Sequence, residues 1–205
     1  AMVSLIDNQV GRILDALEES GQADDTLVVF MSDHGEMLGD HGIYFKGPHF
    51  YDCQMRVPLV MRWPNGGITK NRRVEGFVEL VDLMPTFLEA AGLPIPSAVQ
   101  GRSLLPLLVG GEEGDSCRDQ VYAEYYNAWT HREAYGTMLR TKDWKVVVYH
   151  GTNQGELYNL NDDPEEFLNL WDNPIHAVRK QELVLQCFDA SVLSMDPDPP
   201  RLGAF

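Results

Sequence analysis

The chain has 205 residues, of which 44% are hydrophobic and 10% aromatic, so it carries enough apolar mass for a sizeable globular core. Its 31 acidic residues outnumber 16 basic ones and give a formal net charge of -15, which argues against nucleic acid or an anionic membrane as a partner. An anionic substrate would therefore need a metal ion or a local cation at its binding site.

The first third of the chain has the pattern of an α/β protein. Apolar residues recur at steps of three and four over residues 3–17 and predict a helix with one buried stripe that ends near Gly21. Residues 26–31 are apolar without alternation, which predicts a strand covered on both faces of a parallel sheet. Residues 57–63 predict a second strand, and residues 81–91 predict a helix closed by a glycine.

The second half of the chain predicts a separate, smaller lobe. Prolines and glycines in residues 94–114 indicate a connection, so we expect one domain over residues 1–115 and a second over 116–205. Short aromatic and β-branched segments then predict an antiparallel meander. These segments are residues 120–126, 136–141, 145–149 and 155–160. We further expect a helical turn at Glu165 and Glu166, a helix within 174–188 and a tail at 196–200.

Cysteine usage and the start of the chain bear on its location. The three cysteines are odd in number and widely spaced, which favours neither a disulfide framework nor a zinc knuckle. They are Cys53, Cys117 and Cys187. No window approaches the roughly 20 apolar residues that span a bilayer, and the first four residues lack the pattern of a signal peptide. The sequence thus predicts a cytoplasmic location and no membrane partner.

The segment SDHGEMLGDHG at residues 32–42 is the most informative motif. It places three acids and two histidines among three glycines, directly after the first predicted strand. Carboxylate oxygens and imidazole nitrogens are ligands for divalent cations, and glycines allow the sharp turns that bring neighbouring residues together. The motif predicts a metal site at a strand end. The residues alone also allow a simpler reading in which Asp33 and His34 cap a helix start.

Several motifs in order resemble one enzyme family. The opening helix, the SDHGEMLGDHG segment, Lys46 and RVPL at residues 56–59 are similar to the type I sulfatases and phosphonate monoester hydrolases of the alkaline phosphatase superfamily. The later motifs LVDLMPT, QGRSL and ELYNL followed by DDPE continue the resemblance through the chain. The implied fold is the C-terminal part of an α/β/α sandwich followed by a small α+β lobe with an antiparallel sheet.

The resemblance implies the chemistry of sulfate or phosphonate ester hydrolysis with one divalent cation and a formylglycine nucleophile. Asp33 and His34 would be metal ligands, Lys46 would hold the anionic ester oxygens, and His41 would lie near the leaving group or the site rim. The cation would be calcium, or manganese, zinc or iron because a histidine follows the aspartate. Lys46 also fits a solvated loop lysine, the common role of that residue type.

The family's nucleophile motif, Cys-x-Pro-Ser-Arg or similar, does not occur in the sequence. Cys53 has an arginine nearby, but its spacing is wrong and it follows the metal motif instead of preceding it. We therefore expect the chain to correspond to about the last two fifths of a complete enzyme, with formylglycine in a preceding part. Such a portion would be inactive alone and would bind metal weakly, because hard cations take about six donors.

Two alternatives to a sulfatase remain. One is a phosphonate monoester or phosphodiester hydrolase of the same superfamily. The Asp33-His34 pair favours this alternative, because many sulfatases have Asp followed by Asn at this position. The other is a non-catalytic, self-associating module. In either case we expect a homo-oligomer, since an incomplete sheet exposes strand edges and apolar faces.

Overall fold

The computed structural model describes residues 2–68, 71–110, 118–126 and 134–195. The predicted lobe boundary at 115/116, Cys117 and the predicted tail at 196–200 lie outside the described residues. None of the helices in the described ranges is long and apolar enough to cross a membrane.

The first part of the fold, residues 2–110, consists of four helices and a strand pair. In chain order the elements are α1 (Met2–Glu19), β1 (Val28–Met31), α2 (Asp52–Met55), β2 (Leu59–Arg62), α3 (Leu83–Ala90) and α4 (Leu105–Val109). Strands β1 and β2 pair antiparallel, with Met31 opposite Leu59. The SDHGEMLGDHG segment and α2 therefore lie in the connection between two paired strands.

The sheet lobe, residues 118–126 and 134–195, is a four-stranded antiparallel meander covered by a long helix. Its elements are β3 (Gln120–Tyr126), β4 (Tyr135–Thr141), β5 (Trp144–Tyr149), β6 (Gln154–Asn159) and α5 (Ala177–Leu193). The strands are ordered β3-β4-β5-β6, so each strand pairs with its neighbours in sequence. The predicted meander is confirmed, and each strand begins and ends within one residue of its predicted bounds.

The core of the sheet lobe forms between the sheet and α5. Leu139, Val146 and Leu157 contribute side chains from β4, β5 and β6, and they pack against Leu183 and Cys187 of α5. All five are buried. The sheet therefore buries the apolar face of α5 without any element from the first part of the chain.

Three predictions about the fold are wrong. The apolar stripe of α1 is not buried: no residue of α1 is buried, and Leu5 is 62% exposed. The helix itself forms as predicted, but the described residues leave its apolar face at most half-buried. Strand β1 pairs antiparallel, not parallel, and Phe30 is exposed, so the strand is not covered on both faces. An apolar run without alternation does not specify the direction of its partner.

The third error concerns Glu165 and Glu166, where no helical turn forms. Glu166 has a backbone φ of 64°, in the left-handed region, and its amide bonds to the Asp163 carbonyl in a tight turn. The Glu166 side chain is buried in an ion pair with Lys145. We infer that this tertiary contact offsets the cost of a left-handed backbone at a residue other than glycine.

Asp82 joins the first part to the sheet lobe. Its fully buried carboxylate accepts two hydrogen bonds from Arg118, at 2.9 and 2.7 Å, just before β3. The backbone amides of Glu79 and Arg102 also donate to it, each at 2.8 Å. Glu79 in turn accepts from the Tyr122 amide of β3 at 3.0 Å. The LVDLMPT motif thus fixes the position of α3 against the meander.

Candidate active site

The SDHGEMLGDHG segment forms a compact loop after β1. Within this loop Met37 is fully buried. The Asp40 amide donates to the Met37 carbonyl at 2.8 Å. Gly39 and Gly42 have φ values of 108° and 72°, which an L side chain would adopt only with strain. The glycines therefore let the chain reverse twice within a few residues, as the sequence suggests.

Three of the predicted site residues lie together. The His34 Nε2 atom is 3.6 Å from Asp33 Oδ2 and 2.5 Å from Lys46 Nζ. His34 Nδ1 is 2.6 Å from the Gly35 carbonyl oxygen, which can only accept a hydrogen bond. Nδ1 therefore carries the proton in the neutral ring, and Nε2 keeps its lone pair for a cation. In this structure that lone pair accepts a hydrogen bond from the Lys46 ammonium.

Asp33 has the charge state that a cation ligand needs. Desolvation acts to raise the pKa of its carboxyl group, but hydrogen bonds from the Asp33 and His34 amides and electrostatic interactions with His34 and Lys46 outweigh it and lower the pKa. The Asp33 side chain is 83% exposed and the His34 side chain 36% exposed. Both side chains are thus accessible from solvent.

These residues fit a divalent cation in chemistry but supply only part of its shell. Oxygen and nitrogen donors 3.6 Å apart are close enough to share one ion, since adjacent ligands at about 2.1 Å from a metal lie roughly 3 Å apart. Among the described residues, no group of three or more His, Cys, Asp or Glu side chains is placed to hold a metal. Asp33 and His34 therefore offer only two of the donors that a divalent cation would need.

His41 lies in a different environment from the other three. Its ring stacks on Tyr51, with centroids 3.8 Å apart and planes 11° apart, and it also contacts the Phe167 ring at 4.8 Å. Its backbone is left-handed, with φ 53°. These contacts connect the SDHGEMLGDHG loop to the sheet lobe, and a role for His41 at the leaving group stays a prediction.

Cys53 has none of the features of an activated nucleophile. Burial and the neighbouring carboxylates of Asp40 and Glu166 raise the pKa of its thiol. Its Sγ contacts Met37 Sδ at 3.5 Å. A reactive cysteine needs a lowered pKa in an electropositive setting, so the geometry agrees with the sequence in excluding Cys53.

No pattern in the sequence indicated the ionic cluster beneath α2. Lys145 is fully buried, and its ammonium contacts Asp52 Oδ1 at 2.5 Å, the Phe50 carbonyl at 2.9 Å and the Glu166 carboxylate. Arg140 binds both Asp52 oxygens at 3.2 Å, and the Asp52 amide donates to Glu166 Oε2 at 2.7 Å. This cluster fixes α2, and with it the base of the site, to β4 and β5.

Neighbouring charges decide the charge state of Asp52. Desolvation by burial would raise the pKa of its carboxyl group, but the charges and hydrogen bonds of Lys145 and Arg140 lower the pKa below its ordinary value. Asp52 is thus an anion held between two cations. A partner 93 positions away in sequence leaves no local signal, which is why sequence patterns did not reveal this contact.

Comparison with known proteins identifies the family to which this fold belongs. Residues 39–190 match the family model described as "N-sulphoglucosamine sulphohydrolase, C-terminal". The chain belongs to this sulfatase family, within the alkaline phosphatase superfamily, and corresponds to its C-terminal portion.

Two curated relatives show how much of a sulfatase the chain represents. It is 34% identical over 206 residues to the N-acetylglucosamine-6-O-sulfatase of Bacteroides thetaiotaomicron, which covers 97% of this chain and 36% of the relative. It is 36% identical over 179 residues to arylsulfatase K of Rattus norvegicus, which covers 83% of this chain and 31% of the relative. The chain spans about a third of the length of these relatives.

Solved structures confirm the predicted fold class. A structure solved in complex with its substrate D-glucosamine-2-N,6-O-disulfate matches 98% of this chain and 41% of its own, with a TM-score of 0.84 and 30% identity. The phosphonate monoester hydrolase of Agrobacterium radiobacter matches 95% of this chain and 40% of its own, with a TM-score of 0.85 and 32% identity. Both sulfate and phosphonate ester enzymes therefore share this architecture.

Proposed function

We propose that this chain is the C-terminal portion of a sulfate ester hydrolase and supplies part of its metal site and its substrate-binding cation. The observation that carries the proposal is the meeting of Asp33, His34 and Lys46 at one exposed point after β1, with His34 Nε2 between the other two groups. Sulfatases among the relatives and structural matches support it.

Asp33 Oδ2 and His34 Nε2 would hold the divalent cation, with the ring oriented by its Nδ1 bond to the Gly35 carbonyl. When bound, such a cation neutralises charge on the ester group and lowers the pKa of an oxygen nucleophile. Calcium, manganese, zinc and iron all remain candidates for this ion. The formylglycine nucleophile would come from sequence outside these 205 residues.

Lys46 has a separate role in this proposal. Its ammonium now occupies the Nε2 lone pair of His34, which the cation would take instead. Lys46 then releases the imidazole and pairs with the anionic oxygens of the ester as a point charge. It thereby offsets the net charge of -15 that would otherwise repel an anionic substrate.

The metal assignment is tested by paramagnetic NMR with Mn²⁺, which detects weak binding. We expect Mn²⁺ to broaden the resonances of Asp33 and His34, and we expect Asp33→Ala to abolish this broadening. Asp40→Ala is the matched control, because Asp40 is an exposed carboxylate of the same loop. Broadening that is equal in wild type and Asp33→Ala, or lost equally in Asp40→Ala, would overturn the assignment.

Hydrolysis assays test the origin of the nucleophile. The chain, loaded with Mn²⁺ or Ca²⁺, is incubated with 4-nitrophenyl sulfate and with a phenyl phosphonate monoester. We expect no turnover of either ester, because the sequence contains no formylglycine motif. Turnover above the rate of the Asp33→Ala variant would show that the chain carries its own nucleophile and would contradict this part of the proposal.

A phosphonate monoester or phosphodiester hydrolase is the second candidate function. The imidazole of His34 favours a transition metal over calcium, and the Agrobacterium radiobacter enzyme shows that the fold serves phosphonate esters in a relative. Competition between Ca²⁺ and Mn²⁺ for the site would separate the candidates. Displacement of Mn²⁺ by equimolar Ca²⁺ favours a sulfatase, and retention of Mn²⁺ favours the phosphonate enzyme.

The small-molecule ester is the partner that the site best accommodates. A homo-oligomer and a cytoplasmic location are further parts of the proposal, the first supported by exposed apolar residues of α1 such as Leu5, Ile6 and Ile13. A self-associating module without catalysis would show the oligomer but no Mn²⁺ effect at Asp33.

A further inference from the structure

We propose that Gln54 is a positioning residue that holds the Lys46 loop against the Asp33-His34 loop; this inference rests on the proposed function of those three residues. Gln54 lies in α2 and carries no charge, and no sequence motif marks it. Its importance comes from the hydrogen bonds that it makes on both sides of the site.

The Gln54 side chain binds the segment that follows Lys46. Its Oε1 accepts from the Gly47 amide at 3.1 Å, and its Nε2 donates to the Gly47 carbonyl at 2.7 Å and to the His49 carbonyl at 2.9 Å. One amide side chain thus replaces the backbone partners that this loop would find in a strand. Because both ends of the amide are used, the orientation of the side chain is fixed.

The Gln54 backbone binds the segment that follows His34. The Gly35 amide donates to the Gln54 carbonyl at 2.7 Å. A Cβ atom at Gly35 would lie only 2.0 Å from the Cys53 carbonyl oxygen and 2.9 Å from the Gln54 Cα, so the approach requires a glycine here. Gln54 therefore contacts the residue after His34 with its main chain and the residue after Lys46 with its side chain.

The helix α2 that carries Gln54 is itself held by the sheet lobe. Asp52, two positions earlier in α2, is bound by Lys145 and Arg140 of the sheet lobe, and its amide is bound by Glu166. The sheet lobe thus fixes α2, and α2 fixes the distance between the two loops. The 2.5 Å contact between Lys46 Nζ and His34 Nε2 is the result at the site.

Two substitutions test the side-chain hydrogen bonds of Gln54 without removing its backbone hydrogen bond to Gly35. Gln54→Met has a similar length and removes all three side-chain hydrogen bonds, while Gln54→Glu keeps an acceptor for the Gly47 amide and loses the Nε2 donor. The matched control is Gln181→Met, because Gln181 is an exposed glutamine on α5. Amide hydrogen exchange of Gly47 and Gly35, measured by NMR, is the first readout.

We expect Gln54→Met to speed Gly47 exchange by about fivefold to tenfold, the effect of losing one ordinary hydrogen bond. Gly35 exchange should change less than twofold, since its acceptor is the Gln54 backbone. Gln54→Glu should give an intermediate Gly47 rate, and Gln181→Met should match wild type. Equal acceleration at Gly35 and Gly47, or no acceleration at Gly47, would overturn the positioning role.

The second readout is Mn²⁺ broadening at Lys46 relative to His34. In Gln54→Met we expect the His34 signal to broaden as in wild type and the Lys46 signal to broaden at least about twofold less, because the Lys46 loop is no longer held near the ion. An unchanged ratio would overturn the positioning role. If Mn²⁺ fails to broaden His34 in wild type while the exchange result holds, the proposed function fails and the positioning of the loops stands.

Discussion

The two parts of this molecule form their predicted helices and strands equally well but differ in what covers them. In the sheet lobe, Leu157 and Leu183 are buried between the meander and α5. In the first part, α1 is a regular helix with an equally clear apolar stripe, yet Leu5 and Ile13 are exposed. Apolar periodicity therefore predicted the element in both cases, and burial depended on whether a partner element is present.

The site lies where the two parts meet and depends on both. The first part provides Asp33, His34 and Lys46 on loops, whereas the sheet lobe provides the buried ionic cluster that holds α2. Loop residues alone are poorly fixed, and a rigid scaffold beneath them is what positions functional groups in proteins. The comparison between the two parts can be tested first at this junction.

Removing the buried cation at the junction should have the largest effect. Lys145→Met leaves the Glu166 carboxylate buried without its cation and leaves Asp52 with Arg140 and the more exposed Arg56. Breaking a buried ion pair from one side costs about 3–5 kcal/mol, which we expect in the free energy of unfolding from urea titration. Lys142→Met, at an exposed lysine between β4 and β5, should change it by less than about 0.5 kcal/mol. A loss below 1 kcal/mol for Lys145→Met would show that the cluster does not hold the two parts together.

A matched pair of leucine substitutions tests the difference in burial directly. Leu157→Ala removes a fully buried side chain from the sheet lobe and should cost about 2–5 kcal/mol of unfolding free energy. Leu5→Ala on α1 should cost less than about 0.5 kcal/mol in the monomer, because Leu5 is 62% exposed. Equal losses of unfolding free energy in the two variants would contradict the difference in burial between the two parts. Sedimentation would then show whether self-association buries α1.

Gly35→Ala tests the close approach of the Gly35 backbone to the Cys53 carbonyl. The added Cβ would lie 2.0 Å from the Cys53 carbonyl, so the loop or α2 must shift. We expect a loss of about 1–3 kcal/mol in thermal or urea unfolding, the usual cost of overpacking. Gly11→Ala is the control, since a Cβ there meets no atom within 4 Å and a helix favours alanine over glycine. A Gly35→Ala variant as stable as wild type would mean that the contact is easily relaxed.

Alkaline pH should destabilise the sheet lobe through its buried tyrosines. Burial, and then the nearby Glu156 carboxylate, raise the pKa of Tyr149 and Tyr158 above the ordinary value of 10, and the Tyr149 hydroxyl donates to Glu156 at 2.8 Å. The unfolded chain then loses these protons at lower pH than the folded chain. Their stabilising contribution is full below pH 10 and is lost as the pH rises above 10 toward the folded pKa.

This pH dependence is measured by urea unfolding between pH 9 and 11. We expect Tyr158→Phe to make the loss of unfolding free energy shallower by up to about 1.4 kcal/mol per pH unit, the slope for one proton. Tyr44→Phe, at an exposed tyrosine of the first part, should leave the slope unchanged. A slope in Tyr158→Phe equal to that of wild type would contradict the assignment of these protons to the sheet lobe.

Local patterns in the sequence predicted secondary structure and the loop on which Asp33 and His34 lie. The four strands of the meander were predicted to within one residue because alternation and tight turns are encoded by neighbours along the chain. Asp33 and His34 are adjacent, and the glycines of the same motif predicted the loop that presents them. Lys46 and His34 are separated by only 11 residues, but their contact also depends on the bonds that both segments make to Gln54.

The tertiary structure decided what those elements contact. The exposure of α1, the antiparallel partner of β1, the left-handed Glu166 and the bonds of Gln54 depend on residues distant in sequence or on partners that are not part of the described fold. The sequence by itself determined helices α1, α3 and α5, the meander and the loop that carries Asp33 and His34, because these follow from periodicity and turn chemistry over a few residues. Burial, pairing direction and the junction at Asp52 were decided only by packing, because each is a relation between segments whose separation along the chain carries no local pattern.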